Sequence, residues 1–194
     1  MPVELYTLGH STHPFPEFLA LLARNGIGHV ADVRRFPGSR KFPQYNRDDL
    51  SSSLREAGIR YSWIEALGGR RGRSARESSR NLGLRNESFR NYADYMATET
   101  FRDGVRQLLD GAGETRTAFM CSESLFWRCH RRLISDALLA KGIQVEHIMP
   151  TGELRPHDLT AGAKVTDGDV TYPAPERGQT KTLFDQSDRT EDAP

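Results

Sequence analysis

The sequence has 194 residues, of which 37% are hydrophobic, and a formal net charge of +1. This length is enough for one substantial core, and the chain has nothing near the roughly 18 consecutive apolar residues that cross a bilayer. We therefore predict one domain and no membrane partner. Two cysteines without a secretory signal pattern favour a reducing cytoplasm over a disulfide-rich secreted fold.

Charge is distributed unevenly along the chain. Residues 164–194 contain seven acidic and four basic side chains, a net charge of −3, and residues 1–163 carry the remaining +4. After Pro150 the hydrophobic periodicity fades and the composition becomes polar, which is typical of segments without a packed core. We expect residues 151–194 to form an extended C-terminal tail that is largely disordered after residue 163.

Up to residue 150, apolar segments of strand length and helix length alternate along the chain. This order is typical of an α/β, Rossmann-like, three-layer domain with a mostly parallel sheet, here over residues 1–150. An Arg-rich insertion at 66–87 interrupts the alternation. The predicted strands are 3–8, 29–34, 60–64, 115–120 and 144–148. The predicted helices are 16–25, 47–57, 91–97, 101–109 and 127–142.

Polar side chains follow three of the predicted strands. Gly9-His10-Ser11-Thr12 follows the first strand, Asp32-Val33-Arg34 closes the second, and Cys121-Ser122-Glu123 closes the fourth. Because parallel strands bring their carboxyl ends to one edge of a sheet, we expect these groups to line a common pocket. Each residue alone also has an ordinary structural alternative, such as a turn cap for His10 or an ion pair between Asp32 and Arg34.

The segment 119–133 gathers both cysteines, a carboxylate and a histidine at a strand-to-helix turn. The amino end of a helix stabilises anions and lowers the pKa of a thiol. Cys129, followed by His130 and Arg131, is therefore the better candidate for a reactive thiolate. Buried packing of both cysteines is the alternative, and a disulfide between Cys121 and Cys129 is disfavoured in a reducing compartment.

A metal site is the remaining interpretation of this segment. Cys-x7-Cys-His supplies three donors, but the spacing matches no familiar zinc finger, and a fourth ligand would have to come from a distant residue such as His10. The sequence therefore favours a thiolate without a bound metal. Glu123 or Asp32 would serve as acid and base, and Arg34 and Arg131 would anchor an anion.

An arginine-rich stretch follows the third predicted strand. Arginine forks bind phosphate through paired hydrogen bonds, so this stretch suits a nucleotide or a nucleic-acid backbone. Arg40, Lys41, Phe42 and Tyr45 add cations interleaved with aromatic rings that can stack on bases. A solvated surface loop is the alternative. The seven arginines of residues 70–90 are Arg70, Arg71, Arg73, Arg76, Arg80, Arg85 and Arg90.

The C-terminal segment carries one short motif. Gln179-Thr-Lys-Thr-Leu-Phe184 resembles the peptides that dock in the apolar groove of the bacterial replication sliding clamp. An isolated Leu183-Phe184 pair in a polar tail has no core to join and therefore suggests a partner. Gln179, Leu183 and Phe184 are the predicted contact residues, which would place the protein in DNA repair or replication.

Five blocks of the sequence together resemble the domain-of-unknown-function family 488. They lie within about residues 5–150, in the order expected for the family, and begin at residues 8, 32, 61, 89 and 120. The resemblance implies a Rossmann-like α/β domain and a site but no reaction, since the chemistry of the family is not established. Its hallmark groups correspond here to His10, Ser11, Asp32, Arg34, Cys121, Glu123, Cys129, His130 and Arg131.

The sequence thus predicts an enzyme that acts on a nucleotide, nucleobase or nucleic acid. A non-catalytic nucleic-acid or protein binding module, or a thiol- or metal-dependent sensor, is the alternative. The first strand is followed by no Gly-rich dinucleotide fingerprint, which argues against a conventional NAD enzyme and leaves the cofactor unknown. The predicted catalytic residues are His10, Asp32, Cys121, Glu123, Cys129 and His130. The predicted substrate-binding residues are Ser11, Arg34, Arg70, Arg71, Arg73 and Arg131.

Overall fold

A six-stranded sheet forms the centre of the part of the chain that the computed structural model describes, residues 4–72 and 79–175. The strand order is β3-β2-β4-β1-β5-β6; the first five strands are parallel, and β6 runs antiparallel to β5. This order places the carboxyl ends of β2, β4 and β1 side by side. The strands are β1 (Glu4–Gly9), β2 (His29–Asp32), β3 (Arg60–Trp63), β4 (Thr117–Cys121), β5 (Gln144–Ile148) and β6 (Leu154–Pro156).

Five helices in the described ranges cover the two faces of the sheet. The helices α1 and α2 pack on one face through residues such as Phe18 and Leu54, and α3, α4 and α5 pack on the other. The predicted three-layer α/β fold with a mostly parallel sheet is therefore confirmed. Every helix in these ranges is too short or too polar to span a bilayer. The helices are α1 (Phe15–Arg24), α2 (Arg47–Glu56), α3 (Glu87–Met96), α4 (Glu99–Glu114) and α5 (Arg131–Leu139).

The helices α3 and α4 are longer than the sequence predicts because caps and close packing extend them. The Asn86 side chain accepts hydrogen bonds from the first N–H groups of α3, and Thr98 does the same for α4. The helix α4 also continues through Gly111, where a Cβ would lie 2.6 Å from the His29 ring. Glycine at this position lets the helix approach the sheet closely.

The segment after Pro150 differs from the expected tail as far as residue 175. Beyond β6, strands β7 (Lys164–Thr166) and β8 (Asp169–Thr171) form a hairpin. Its two-residue turn, Asp167-Gly168, has φ angles of 52° and 78°, as a primed hairpin turn requires. The expectation of disorder after residue 163 is therefore wrong up to residue 175. Residues 176–194 lie outside the described residues.

A buried carboxylate in α5 explains why this segment packs. Asp136 accepts hydrogen bonds from His157 Nε2 at 2.9 Å, from the Thr160 backbone N–H at 2.8 Å and from the Tyr172 hydroxyl at 2.6 Å. Tyr172 is only 2% exposed. Burial of a carboxylate destabilises a fold unless the carboxylate is hydrogen-bonded. The segment after Pro150 supplies these hydrogen bonds and so stabilises the packing of α5.

Three buried histidines should make the protein sensitive to acid. Burial and, to a smaller extent, the charge of a nearby arginine lower the pKa of His10 and of His29 to about 4. Burial and, to a smaller extent, the neighbouring His157 lower the pKa of His147 to about 2. A folded-state pKa below the unfolded value means that the stability is full above pH 6.5 and declines below it. Between pH 7 and pH 5 each histidine should cost about 2 kcal/mol of unfolding free energy.

Urea unfolding at the two pH values tests this. His29→Gln should reduce the loss between pH 7 and pH 5 by roughly the share of one histidine, about 2 kcal/mol. A loss as large as that of the wild type would contradict the neutral state of His29.

Candidate functional site

The predicted polar groups do meet at the carboxyl edge of the sheet, where backbone hydrogen bonds join their loops. His10 donates its backbone N–H to the Cys121 carbonyl, and Ser11 donates to the Ser122 carbonyl, both at 3.0 Å. Ser11 is held at a φ of 47°, a strained value for a residue with a side chain. Such strain is concentrated at functional sites and switch regions.

The side chains of this edge nevertheless form two separate clusters on opposite faces of the sheet. Asp32 is paired with Met120, so its side chain faces α1 and α2, and Cys121, one residue later, faces α3, α4 and α5. The expectation of a single common pocket is therefore wrong. We call one group the ion-pair cluster (His10, Asp32, Arg34, Tyr45 and Tyr61) and the other the thiol cluster (Cys121, Cys129 and His130).

The ion-pair cluster is built around a fully buried carboxylate. Arg34 donates to the two oxygens of Asp32 through its side chain at 2.6–3.1 Å and through its backbone N–H at 3.0 Å. The Tyr61 hydroxyl donates to Asp32 Oδ2 at 2.8 Å. Burial, reinforced by Asp32, raises the pKa of Tyr61, which keeps the phenol a donor. These partners make Asp32 a structural anchor rather than the acid or base that the sequence suggested.

His10 is similarly occupied by internal partners. Its Nδ1 lies 3.0 Å from the Ser11 carbonyl, to which it donates, and its Nε2 accepts from Arg34 at 3.3 Å. Its ring stacks on Tyr45 with centroids 4.0 Å apart. Burial and the charge of Arg34 lower the pKa of His10 to about 4, so the imidazole is neutral. Both ring nitrogens are used, and neither is free for a substrate or a metal.

The thiol cluster brings three ligand atoms together on the other face. The Cys121 and Cys129 sulfurs and one His130 nitrogen all lie within 4.8 Å of one another. Cys129 Sγ is 3.5 Å from His130 Nδ1, and His130 donates its Nε2–H to the Val33 carbonyl at 2.9 Å. Because a carbonyl can only accept, this bond fixes the tautomer and leaves the Nδ1 lone pair towards the sulfurs.

The two thiols have opposite pKa shifts. Burial raises the pKa of Cys129, but the hydrogen bond from Cys121 and the charge and N–H groups of Arg131 outweigh burial and lower it overall. The hydrogen bond to Cys129, together with burial, raises the pKa of Cys121. The pair therefore loses its first proton from Cys129, the thiol that the sequence favoured as thiolate.

A model of a protein family, described as domain of unknown function DUF488, matches residues 14–138. The chain belongs to this family. No curated protein and no solved structure matches it. The matched range includes the whole thiol cluster together with Asp32 and Arg34, but it begins after His10 and Ser11. The family description assigns no function.

In this DUF488 protein, Arg131 shapes the loop after β4 instead of facing solvent. Its guanidinium donates to Thr7 Oγ1 at 3.1 Å and to the Glu123 and Ser124 carbonyls at 2.5 Å and 3.1 Å. The loop can approach β1 because a Cβ at Gly9 would lie only 1.8 Å from the Glu123 carbonyl oxygen. The Glu123 side chain is exposed. Arg131 is thus buried and occupied, which does not suit the predicted anion anchor, whereas Glu123 remains accessible.

The predicted basic residues of the DUF488 domain have different surroundings. Arg70 is exposed with a φ of 55°. Arg71 donates to the carbonyls of residues 65, 66 and 68 and lies over the Tyr95 ring, so it stabilises a turn. Arg73 lies outside the described residues. Tyr45 is 0% exposed and cannot stack on a base, contrary to expectation.

The sequence reasoning missed one exposed aromatic residue and one glycine beside the thiol cluster. Phe36 is 69% exposed although it follows a buried strand by only a few residues. A Cβ at Gly69 would lie 2.8 Å from His130 Nδ1, so this glycine adjoins the cluster directly. The Gly68-Gly69 pair, in the block that begins at residue 61, was a sequence signal of close packing. The sequence alone cannot show which side chain packs against these glycines.

A cavity of about 240 Å³ lies elsewhere, between α4, α5 and the β7-β8 hairpin. Its floor is apolar, with Phe101 and Val105, and its rim includes Arg102 and Arg106. Both arginines form ion pairs with acidic neighbours. No residue of either polar cluster lines this cavity.

The ion-pair cluster predicts a large stability cost for losing Asp32. Asp32→Ala would leave the buried Arg34 charge without a partner and should lower the free energy of unfolding by about 3–5 kcal/mol. Asp48→Ala is the matched control, because Asp48 pairs with Arg47 at the surface. It should change stability by less than about 0.5 kcal/mol. Equal effects of the two variants in urea unfolding would contradict the anchoring role of Asp32.

Proposed function

We propose that this DUF488 protein is an enzyme that acts on a nucleotide or a nucleic acid, with the thiol cluster as its reactive centre. The observation that carries the proposal is the connection between that cluster and residues 35–47, which we call the basic-aromatic loop. His130 is hydrogen-bonded to the carbonyl of Val33, and Phe36 projects into solvent three residues further along the same chain segment. A base stacked on Phe36 would therefore lie three residues along the chain from the carbonyl that holds His130.

The loop, residues 35–47, combines cations with aromatic faces. Arg35, which is also paired with Glu65, lies 5.9 Å from the centroid of Phe36, and Lys41 lies 5.3 Å from that of Phe42. Base stacking on an exposed aromatic ring contributes about 1–3 kcal/mol per base and tolerates any base. Arginine and lysine add salt-dependent phosphate contacts. These features support a nucleotide or single-stranded nucleic acid as substrate.

The thiol cluster supports catalysis because its groups are suited to nucleophilic attack or to holding an electrophilic ion. A thiol beside an imidazole is a usual arrangement for an activated nucleophile. Glu123, exposed in the loop between β4 and α5, stays our candidate for acid/base catalysis. The burial of both cysteines, at 7% and 4% exposed, favours the second candidate, a thiol- or metal-dependent sensor that binds nucleic acid without turnover.

Binding and turnover can be tested separately. Phe36→Ala should weaken binding of single-stranded DNA by roughly 5- to 150-fold, as the loss of one stacking contact predicts. Fluorescence anisotropy at several salt concentrations measures this, with Leu154→Ala, an exposed residue on the distant β6 strand, as control. Unchanged affinity in Phe36→Ala would remove the loop from the proposal.

Turnover is then sought by mass spectrometry of nucleotides and oligonucleotides incubated with the full chain. Cys129→Ser and His130→Gln should abolish conversion and leave binding largely unchanged. Binding by the wild type without conversion of any substrate class would favour the sensor over the enzyme.

We also propose the sliding clamp as a partner, from residues 179–184 alone, which lie outside the described residues. A peptide covering residues 178–186 should bind the clamp saturably in calorimetry, since two apolar anchors suit a groove. Leu183→Ala with Phe184→Ala should abolish that binding. No saturable binding at high micromolar peptide would remove the argument for a replication or repair setting.

A further inference from the structure

We propose that Cys121, Cys129 and His130 bind one zinc ion and leave its fourth coordination position to water or substrate. Within residues 4–72 and 79–175 these three are the His, Cys, Asp and Glu side chains that form a group with metal-ligand spacing. The sequence favoured a thiolate without metal because Cys-x7-Cys-His matches no familiar finger. The structure adds the proximity that the spacing could not reveal.

The distances fit a tetrahedral ion. Zinc bonds of about 2.3 Å to sulfur and 2.0 Å to nitrogen hold a sulfur and a nitrogen about 3.5 Å apart. Cys129 Sγ and His130 Nδ1 are separated by 3.5 Å. The 4.8 Å limit on all three pairs leaves room for the wider sulfur–sulfur separation of about 3.8 Å expected for such an ion.

The orientation of His130 supports the same inference. A metal-binding histidine usually donates its other ring N–H to a carbonyl or carboxylate, which fixes the ring and directs its lone pair at the metal. His130 does this through Nε2 and the Val33 carbonyl at 2.9 Å. Its ring is also packed against Tyr92, with centroids 5.2 Å apart. The lone pair is thus preorganised rather than free to rotate.

The donor set selects the kind of ion. Two thiolates and a neutral imidazole are typical ligands of zinc and suit magnesium or calcium poorly, since those ions prefer oxygen. Two thiolates also balance the double charge of the ion. His10, the fourth ligand that the sequence offered, is occupied by Ser11 and Arg34. Three protein ligands with an open position are typical of catalytic zinc sites.

A catalytic role for the ion rests on the proposed function, whereas its binding does not. Bound zinc would lower the pKa of a water in the fourth position and generate hydroxide near neutral pH. In a hydrolysis, the oxygen of that water would bond to the electrophilic atom of the substrate, the bond to the leaving group would break, and the proton of the water would pass to the leaving group, with Glu123 as the candidate proton carrier. Hydrolysis is therefore the class of reaction to examine first.

Metal content of the full chain, purified under reducing conditions, tests the binding. Elemental analysis after zinc loading and dialysis should give one zinc ion per chain. Cobalt substitution should give the thiolate charge-transfer band and the intense visible bands of a tetrahedral site. Cys129→Ser and His130→Gln should lose the ion, and His29→Gln, a buried histidine at the opposite end of β2, should keep it.

Gly69→Ala tests the site without removing a donor. Its Cβ would lie 2.8 Å from His130 Nδ1 and should displace the imidazole, which we expect to weaken zinc binding roughly 10- to 100-fold, as loss of ring positioning does. Gly72→Ala is the matched control, because a Cβ there meets nothing within 4 Å. It should bind zinc as the wild type does.

The outcomes separate the two proposals. Wild-type protein with far less than one ion per chain, or with cobalt spectra lacking thiolate charge transfer, overturns the zinc site and leaves a hydrogen-bonded thiol pair. Equal zinc affinity in Gly69→Ala and Gly72→Ala also overturns it. Stoichiometric zinc in a protein that binds no nucleotide or nucleic acid sustains the metal site and defeats the proposed function instead.

Discussion

The alternation of side chains along parallel strands is the constraint on which this structure depends. Successive residues of a strand point to opposite faces of the sheet, so Asp32, which is in register with Met120, and Cys121, one residue later, cannot share a pocket. Asp32 is thus buried under α1 and α2, and Cys121 is buried under α5. Each face must then satisfy its own polar groups, which is why both clusters are so fully hydrogen-bonded.

Residues 32–34 connect the two faces and give the site its rigidity. The Asp32 carboxylate and the Arg34 guanidinium hold the segment on one side, and the Val33 carbonyl holds His130 on the other. A displacement of β2 would therefore disturb the imidazole even though no ion-pair residue touches it. The ion pair thus helps to hold the chain segment that positions His130 in the thiol cluster.

The sequence predicts the three layers of the fold and the carboxyl edge at which the polar loops meet. These features depend on apolar segments and on glycines at helix ends, which are local signals. The sequence does not predict which face a polar residue occupies, since that depends on strand register. It offers Cys121, Cys129 and His130 as three donors, but it does not show that their ligand atoms lie within 4.8 Å of one another. In the sequence Asp136 resembles any helical aspartate, because its partners His157 and Tyr172 lie far along the chain. The Asp167-Gly168 turn was a readable signal that the fading periodicity around it concealed.

The contact between Asp136 and Tyr172 has a consequence for the order in which the protein folds. During synthesis α5 emerges well before residue 172, so its buried carboxylate lacks one of its donors until the hairpin has been made. An unsatisfied buried carboxylate destabilises the structure that contains it. We therefore expect the nascent domain to remain incompletely packed over α5 until almost the entire described chain has left the ribosome, and a chain ending near residue 150 to expose that helix permanently.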